Sequence, residues 1–309
     1  MDAATNDILQ KYEVSPTAWL GAGMEAEVYV YGARAVLKLY AGTTNLMHLT
    51  TLQHFYASVD RHHVPYALPR INAVVQEDAC VVSIEQRLYG TPLSDVLASR
   101  SAQQLDQIMQ HYLRAACALS AIQAPASLDR YKLFDPDHIS QRTHGDWHQF
   151  LDRYLMLKLA QVTPYLSRDV SHLATKVQHL RAILAQPYRG DYCLIHGDFF
   201  PGNLLVNYED QITALLDFGM LTMYGDYLFD IATSWVFFDM YDDLKVNARE
   251  RYLSLILNTL GEDVRGILYQ YVLMYSILSA NTYSVTCTDG HYRWCIANLN
   301  NDEYWKAIA

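Results

Sequence analysis

Positive charge is scarce in this chain. Its 309 residues hold 23 Lys and Arg against 33 Asp and Glu, a formal charge of −10. A nucleic-acid binder displaces counterions with a basic face, so no nucleic-acid partner is expected. Cysteine is sparse as well: Cys80, Cys117, Cys193, Cys287 and Cys295, an odd number with no Cys-x-x-Cys. That excludes a disulfide framework or a zinc ribbon and predicts reduced thiols packed as small hydrophobes in a cytoplasmic protein. The start, MDAATNDILQKYEV, lacks a basic n-region and an apolar h-region, so no secretory leader is expected. One stretch, residues 266–288, lacks charge altogether, but Gln270, Ser276, Ser279, Asn281 and Thr282 punctuate it. It reads as a buried core helix, and no membrane association is expected. Repeats and low-complexity segments are absent, and nothing calls for an obligate protein partner.

What is present is an ordinary globular composition, 51% hydrophobic and 18% charged, in a chain long enough for two domains. The first ninety residues are rich in strand formers. Residues 27–40 carry β-branched and aromatic side chains on both sides of Gly32, a hairpin pattern. Residues 43–59 place Leu46, Leu49, Leu52, Phe55, Tyr56 and Val59 at helical steps. Residues 71–88 read as two strands about a Glu77–Asp78 turn, and YGTPL then breaks the pattern as a hinge. Beyond it the chain turns helical. Ser101 opens a helix with an apolar stripe through Leu105, Ile108, Met109, Tyr112, Leu113 and Ala116. Residues 147–163 and 170–186 repeat the pattern, and 247–261 runs from an Asn247 cap with Glu250 to a Gly261 stop. Two short apolar strands, 192–195 and 212–216, interrupt the helices. The fold class is α+β, with a small sheet lobe over 1–88 and a larger helical lobe over 89–309.

The tripeptide His-Gly-Asp occurs twice, and spacing separates the copies. In LIHGDFFPGNLLV an apolar strand ends at Ile195, His196-Gly197-Asp198 follows, and Asn203 stands five residues after the Asp. A second strand leads to Asp217-Phe218-Gly219. Phosphoryl transfer from ATP needs this set: one carboxylate to orient and deprotonate a hydroxyl, and an amide oxygen with a second carboxylate to hold Mg²⁺ against phosphates. The first copy, His144-Gly145-Asp146, follows a polar lead-in and has Leu151 where the amide would stand. Asp146 is better read as the N-cap of the helix that follows. Upstream, Gly21-x-Gly23 lets backbone N–H groups approach phosphates, and AVLKLY buries Lys38 in a strand where it needs an anion.

In this order these residues resemble the aminoglycoside phosphotransferase and choline kinase superfamily, relatives of the protein kinases, from Gly21 to about Met240. HGDFFPGN and LLDFGMLTMYGDYLFDIA are the most specific pieces. The resemblance implies a bilobal protein-kinase-like fold: an antiparallel-sheet N-lobe with one helix, and a mainly helical C-lobe with Trp147 in its core. It makes Asp198 the catalytic base, Asn203 and Asp217 the Mg²⁺ ligands, and Lys38 the contact to the α- and β-phosphates. Glu85-Gln86-Arg87-Leu88 becomes the hinge that pairs with adenine through its backbone. His196 becomes a loop-shaping residue, and Asp226 a brace under the catalytic loop with Asp230 four residues later. ATP is the expected nucleotide, with GTP the alternative. One departure stands out. Related kinases fix the lysine with a Glu on the N-lobe helix, and residues 43–59 contain no Glu or Asp. Gln53, His54, Thr50, Thr51, Glu25 and Glu27 are the substitutes within sequence reach.

The partner is a small molecule offering a hydroxyl. Residues 225–243 hold Asp226, Asp230, Asp239, Asp242 and Asp243 and no Lys or Arg, and Asp302 and Glu303 stand beside aromatics near the end. With Asp198, a cleft lined by Asp239, Asp242, Asp302 and Glu303 would draw a polyamine sugar. The other reading makes the 239–243 acids a solvated helix end. An aminoglycoside kinase, a kinase of a macrolide, nucleoside, choline-like or amino-alcohol acceptor, and a nucleotide-binding pseudokinase are the three functions in play.

Overall fold

In a computed structural model, residues 3–23, 26–40, 44, 46–78, 80–124, 146–218, 222–241, 243–244 and 246–308 are described. The chain divides into two compact units. The first joins Met1–Pro92 to Leu204–Asp217; the second holds Leu93–Asn203 and Phe218–Ala309. The sequence reading cut the chain once, after Leu88. The structure cuts it after Pro92 and returns fourteen residues, 204–217, to the first unit.

The first unit is built on a five-stranded antiparallel sheet in the order β1-β2-β3-β5-β4: Trp19–Ala22, Ala26–Tyr31, Ala35–Tyr40, Val81–Gln86 and Ile71–Gln76. Gly32, at φ 64°, turns β2 into β3 where a side chain would be strained, as the hairpin pattern predicts. Alternation then sorts the residues of β3 between two faces. Leu37 and Leu39 pack with Tyr29, Val82 and the residues Ile8 and Leu9 of an N-terminal helix, α1 (Ala3–Lys11). Tyr40 packs on the other face with Val81 and Leu49 of α2 (Leu46–Ser58), so Lys38, two residues before Tyr40, shares the α2 face. A three-stranded sheet completes the unit: β6 (Thr91–Pro92), β8 (Leu204–Val206) and β9 (Ile212–Leu215).

The second unit is helical. Helices α3 (Leu93–Leu97) and α4 (Ala102–Ala118) lead it, and Ser101 and Gln104 close a reciprocal capping box on α4. Helix α5 (Trp147–Asp169) starts at Asp146, whose carboxylate accepts the N–H of Gln149 and that of Tyr188, both at 3.1 Å. The cap predicted for the first His-Gly-Asp copy is therefore present; His144 lies outside the described residues. Trp147 is fully buried against Phe150 and Phe229, and its Nε1 donates to Tyr271. Then come α6 (Leu173–Leu184), α7 (Leu228–Val236), α8 (Ala248–Leu260) and α9 (Val264–Leu278). Helix α8 has the expected ends: the Asn247 side chain accepts from Glu250 N–H, and Gly261 closes it at φ 100°. Helix α9 takes in residues 266–278 of the uncharged stretch and is buried without a break from Leu268 to Leu278. Among the described residues no helix is long and apolar enough to cross a membrane. Two strands, β7 (Cys193–Ile195) and β10 (Met223–Gly225), pair antiparallel, and α10 (Gly290–Leu299) and α11 (Asp302–Ala307) finish the unit.

Candidate active site

The candidate catalytic loop is set by a buried strand and a buried acid. β7 is buried at all three residues and delivers His196 into the core. Gly197 takes φ 82°, a turn that a side chain would oppose. Asp230, fully buried on α7, accepts the N–H of His196 at 2.6 Å and that of Gly197 at 2.8 Å. The His196 ring is spent on the loop itself: its Nδ1 accepts the N–H of Asp198 at 3.2 Å, and Phe218 packs edge-on at 4.5 Å between centroids. The Thr222 hydroxyl donates to the His196 carbonyl, and the Tyr112 hydroxyl to that of Phe199. Buried Phe199 and Pro201 hold the turn from below. Asn203 closes it: Nδ2 donates to the Asp198 carbonyl at 3.0 Å and to Asp198 Oδ2 at 3.1 Å. Asn203 is buried, and Asp198 is half-buried.

Electrostatics follow from burial. Desolvation pushes the Asp230 carboxyl up to about 7, against the pull of the two N–H donors and with help from the negative charge on Asp198. The Asp226 carboxyl is also raised by burial, offset by the Leu228 N–H and the Tyr271 hydroxyl that it accepts. The bracing under the loop that the resemblance gave to Asp226 is thus carried by Asp230, while Asp226 ties the start of α7 to α9.

The first unit holds the residues expected on the nucleotide side. Lys38 Nζ lies 3.1 Å from Glu85 Oε2. Burial works to lower the lysine, but the charge of Glu85, with Tyr40 and Asp217 behind it, outweighs burial and keeps it cationic. Asp217 is exposed at the end of the segment that follows β9 and takes the left-handed φ of 56°. Gly21 lies in β1, and Gly23 turns the chain into β2 with its N–H on the Ala26 carbonyl. Among the described residues, and apart from the chain neighbours, no atom lies within 4 Å of where a Cβ would stand on either glycine. In the predicted hinge, Gln86 N–H donates to Arg70 O and Arg87 N–H to Arg34 O.

The acids proposed for the acceptor are placed as follows. Asp239 accepts from Arg249 and, at 2.9 Å, from Trp294 Nε1. Glu303 accepts from the Tyr269 hydroxyl, and Asp302 opens α11. Asp242 lies outside the described residues. From α9 and the loop after it, Tyr275 and Tyr283 feel the charge of Asp198, which adds to burial in raising both phenols. Among the described residues no group of three or more His, Cys, Asp or Glu could hold a metal ion. A hard-oxygen site of one amide and one carboxylate, with phosphate and water completing the shell, is the donor set that suits Mg²⁺.

Residues 20–263 match the phosphotransferase enzyme family, APH. The chain belongs to that family. No curated protein matches it in sequence. Among solved structures, the gentamicin complex of APH(2'')-IIa is similar at a TM-score of 0.65 and 15% identity, over 97% of this chain and 96% of that one. ADP-bound APH(2'')-Ib is similar at 0.62 and 15%, over 100% and 99%. The Streptomyces rimosus APH(3'')-Id, with ADP and streptomycin, is similar at 0.56 and 13%, over 90% and 99%. These likenesses show the kinase-like fold. The family is one of phosphotransferases, and this chain is a member of it.

Two features of this phosphotransferase escaped the sequence. Asp230 as the clamp on two loop amides depends on α7 folding back under β7. The Glu85–Lys38 pair depends on the register of β3 with β5. A hint was present: Glu85 interrupts the apolar strand VVSIEQ, two residues after Ser83 and so on the same face.

Proposed function

We propose that this phosphotransferase moves the γ-phosphoryl group of ATP to a hydroxyl of an aminoglycoside. The observation that carries the kinase chemistry is the clamped loop: Asp230 fixes the His196 and Gly197 amides, and Asn203 fixes the side chain of Asp198. Preorganised donors and acceptors cost little rearrangement at the moment of reaction. Asp198 accepts the proton of the attacking hydroxyl. Asn203 Oδ1 and Asp217 are the residues that would hold Mg²⁺, which when bound screens phosphate charge and orients the transferred group. Lys38 meets the α- and β-phosphates under the Gly21–Gly23 turn. With the Gln86 and Arg87 N–H groups engaged in the protein, adenine pairing falls to Leu88 N–H and to the carbonyls of Glu85–Leu88.

The acceptor reading is supported by the relatives, whose structures are of aminoglycoside phosphotransferases with gentamicin or streptomycin bound. The charge of −10 favours a cationic substrate. A specific observation favours the second reading, a less cationic hydroxyl acceptor such as a macrolide or nucleoside. Asp239 is already matched by Arg249, and the groups that sense Asp198 from the C-terminal elements are phenols. ADP release with Mg²⁺-ATP, measured over aminoglycosides, macrolides, nucleoside antibiotics and choline, separates them. Turnover confined to polyamine sugars supports the first reading; turnover only on neutral or singly charged acceptors replaces it with the second. ATP binding with silence across the panel would move the protein to the pseudokinase reading.

A further inference from the structure

The lysine expected on the nucleotide side needs a fixed counter-ion, and four of the residues within sequence reach are bonded elsewhere. Helix α2 carries no acid. Its Gln53 donates to the Ile71 carbonyl, and the hydroxyls of Thr50 and Thr51 bond back to Leu46 O and Met47 O. His54 is exposed, and Glu27 accepts from the Tyr29 hydroxyl at 2.7 Å. Glu25 lies outside the described residues.

We propose that Glu85, on strand β5, is the positioning residue that fixes Lys38 for phosphate, in place of a helix-borne acid. The ladder sets the geometry. Lys38 lies opposite Ser83, and Glu85 two residues on shares the face of Ser83, so the two charged side chains meet on the α2 side of the sheet. One carboxylate oxygen, Oε2, takes Lys38 at 3.1 Å. The other, Oε1, accepts the Ser83 hydroxyl at 2.7 Å and the Tyr40 hydroxyl at 3.2 Å. Both oxygens are therefore held, and Glu85 is 5% exposed. A carboxylate so fixed leaves the lysine one direction in which to present its remaining N–H donors. Lys38 keeps 24% of its side chain accessible, so it is paired on one side and open on the other. The nearest strand acid also explains why a hinge role for Glu85 is confined to its backbone: its side chain is committed to Lys38.

This inference rests on the nucleotide reading of Lys38, and its test separates the two. The full chain is assayed with Mg²⁺-ATP by ADP release, with kanamycin as acceptor and, independently of the acceptor, as the slow hydrolysis of ATP by water. Glu85→Gln keeps the shape and the Ser83 contact and removes the charge. Its kcat/KM for ATP is expected to fall on the order of tenfold or more with KM for kanamycin unchanged, the signature of a misplaced phosphate contact. Glu85→Asp, which keeps the charge on a shorter arm, is expected to recover part of the loss, and it is the variant read if Glu85→Gln does not fold. Wild-type kcat/KM for ATP in Glu85→Gln beside a crippled Lys38→Ala overturns the anchoring alone. A silent Lys38→Ala overturns the nucleotide reading and the anchoring together.

Discussion

The Asn203 side-chain amide donates to the Asp198 carboxylate across 3.1 Å and to the Asp198 carbonyl across 3.0 Å. The same side chain thus sets the rotamer of the proposed base. Asp198→Ala should cost on the order of a hundredfold or more in kcat while Mg²⁺-ATP binding is largely kept. Asp146→Ala, in the other His-Gly-Asp copy, should leave kcat unchanged and lower stability by about 1–2 kcal/mol, because two N–H donors lose their acceptor. Turnover and thermal melting on both variants check this; comparable kinetic damage from the two would mean that the copies were assigned wrongly.

Asn203→Ala removes the proposed cation ligand and the brace on Asp198 at once. Activity should fall by roughly a hundredfold, and the Mg²⁺ concentration for half-maximal rate should rise, with partial recovery at high Mg²⁺. Chelation should stop the wild-type enzyme reversibly. An unchanged Mg²⁺ titration in the variant would remove Asn203 from the metal site.

The buried clamp predicts a pH dependence. The charged form of Asp230 accepts two amide N–H groups, and burial raises that carboxyl to about 7. As pH falls through that value the carboxyl takes a proton, loses one acceptor position, and loosens the loop, so kcat should decline on the acid side. Its effect on stability has the opposite sign. Between the unfolded value near 4 and the folded value near 7, the folded state holds a proton that the unfolded state releases. That contribution is fully present below pH ~4 and is lost as pH rises through about 7. Asp230→Asn should lower kcat and abolish the acid limb; a limb that survives in the variant belongs to another group.

Gly90 sits at φ 146°, where a Cβ would come within 2.8 Å of Leu205 Cβ and Thr213 Oγ1 and 2.9 Å of Val206 O. The residue that broke the strand pattern is therefore a close-packing point against the β8–β9 hairpin. Gly90→Ala should destabilise the protein by about 2–4 kcal/mol, from backbone strain and overpacking together. Calorimetry reads it directly, and an unchanged melting temperature would mean that the backbone yields at that point.

The elements with strong periodicity were legible. The β2–β3 hairpin, α2, the capped α4 and α8, and the α5 cap at Asp146 follow from spacing and end signals within a few residues. The candidate catalytic loop could be picked out because a strand, a tripeptide and an amide in fixed order leave few alternatives. Three things were not. α1 carries too few apolar residues to announce itself away from the sheet face that it covers. The return of 204–217 to the first unit depends on pairing of β8 with β6, more than a hundred residues earlier. Glu85 was assigned to the hinge by its position in the chain, whereas its side chain is defined by the strand beside it. Contacts set by register between strands distant in sequence leave no trace in local pattern.

A helix that supplies a counter-ion can swing out and take the ion with it, which is how many kinases are held idle. Lys38 and Glu85 sit on β3 and β5, adjacent strands with a neighbour on each side in the sheet. Parting them would require unzipping the middle of that sheet. With Glu85 as the proposed anchor, the counter-ion of Lys38 rides on the sheet itself and not on a helix that can move away from it.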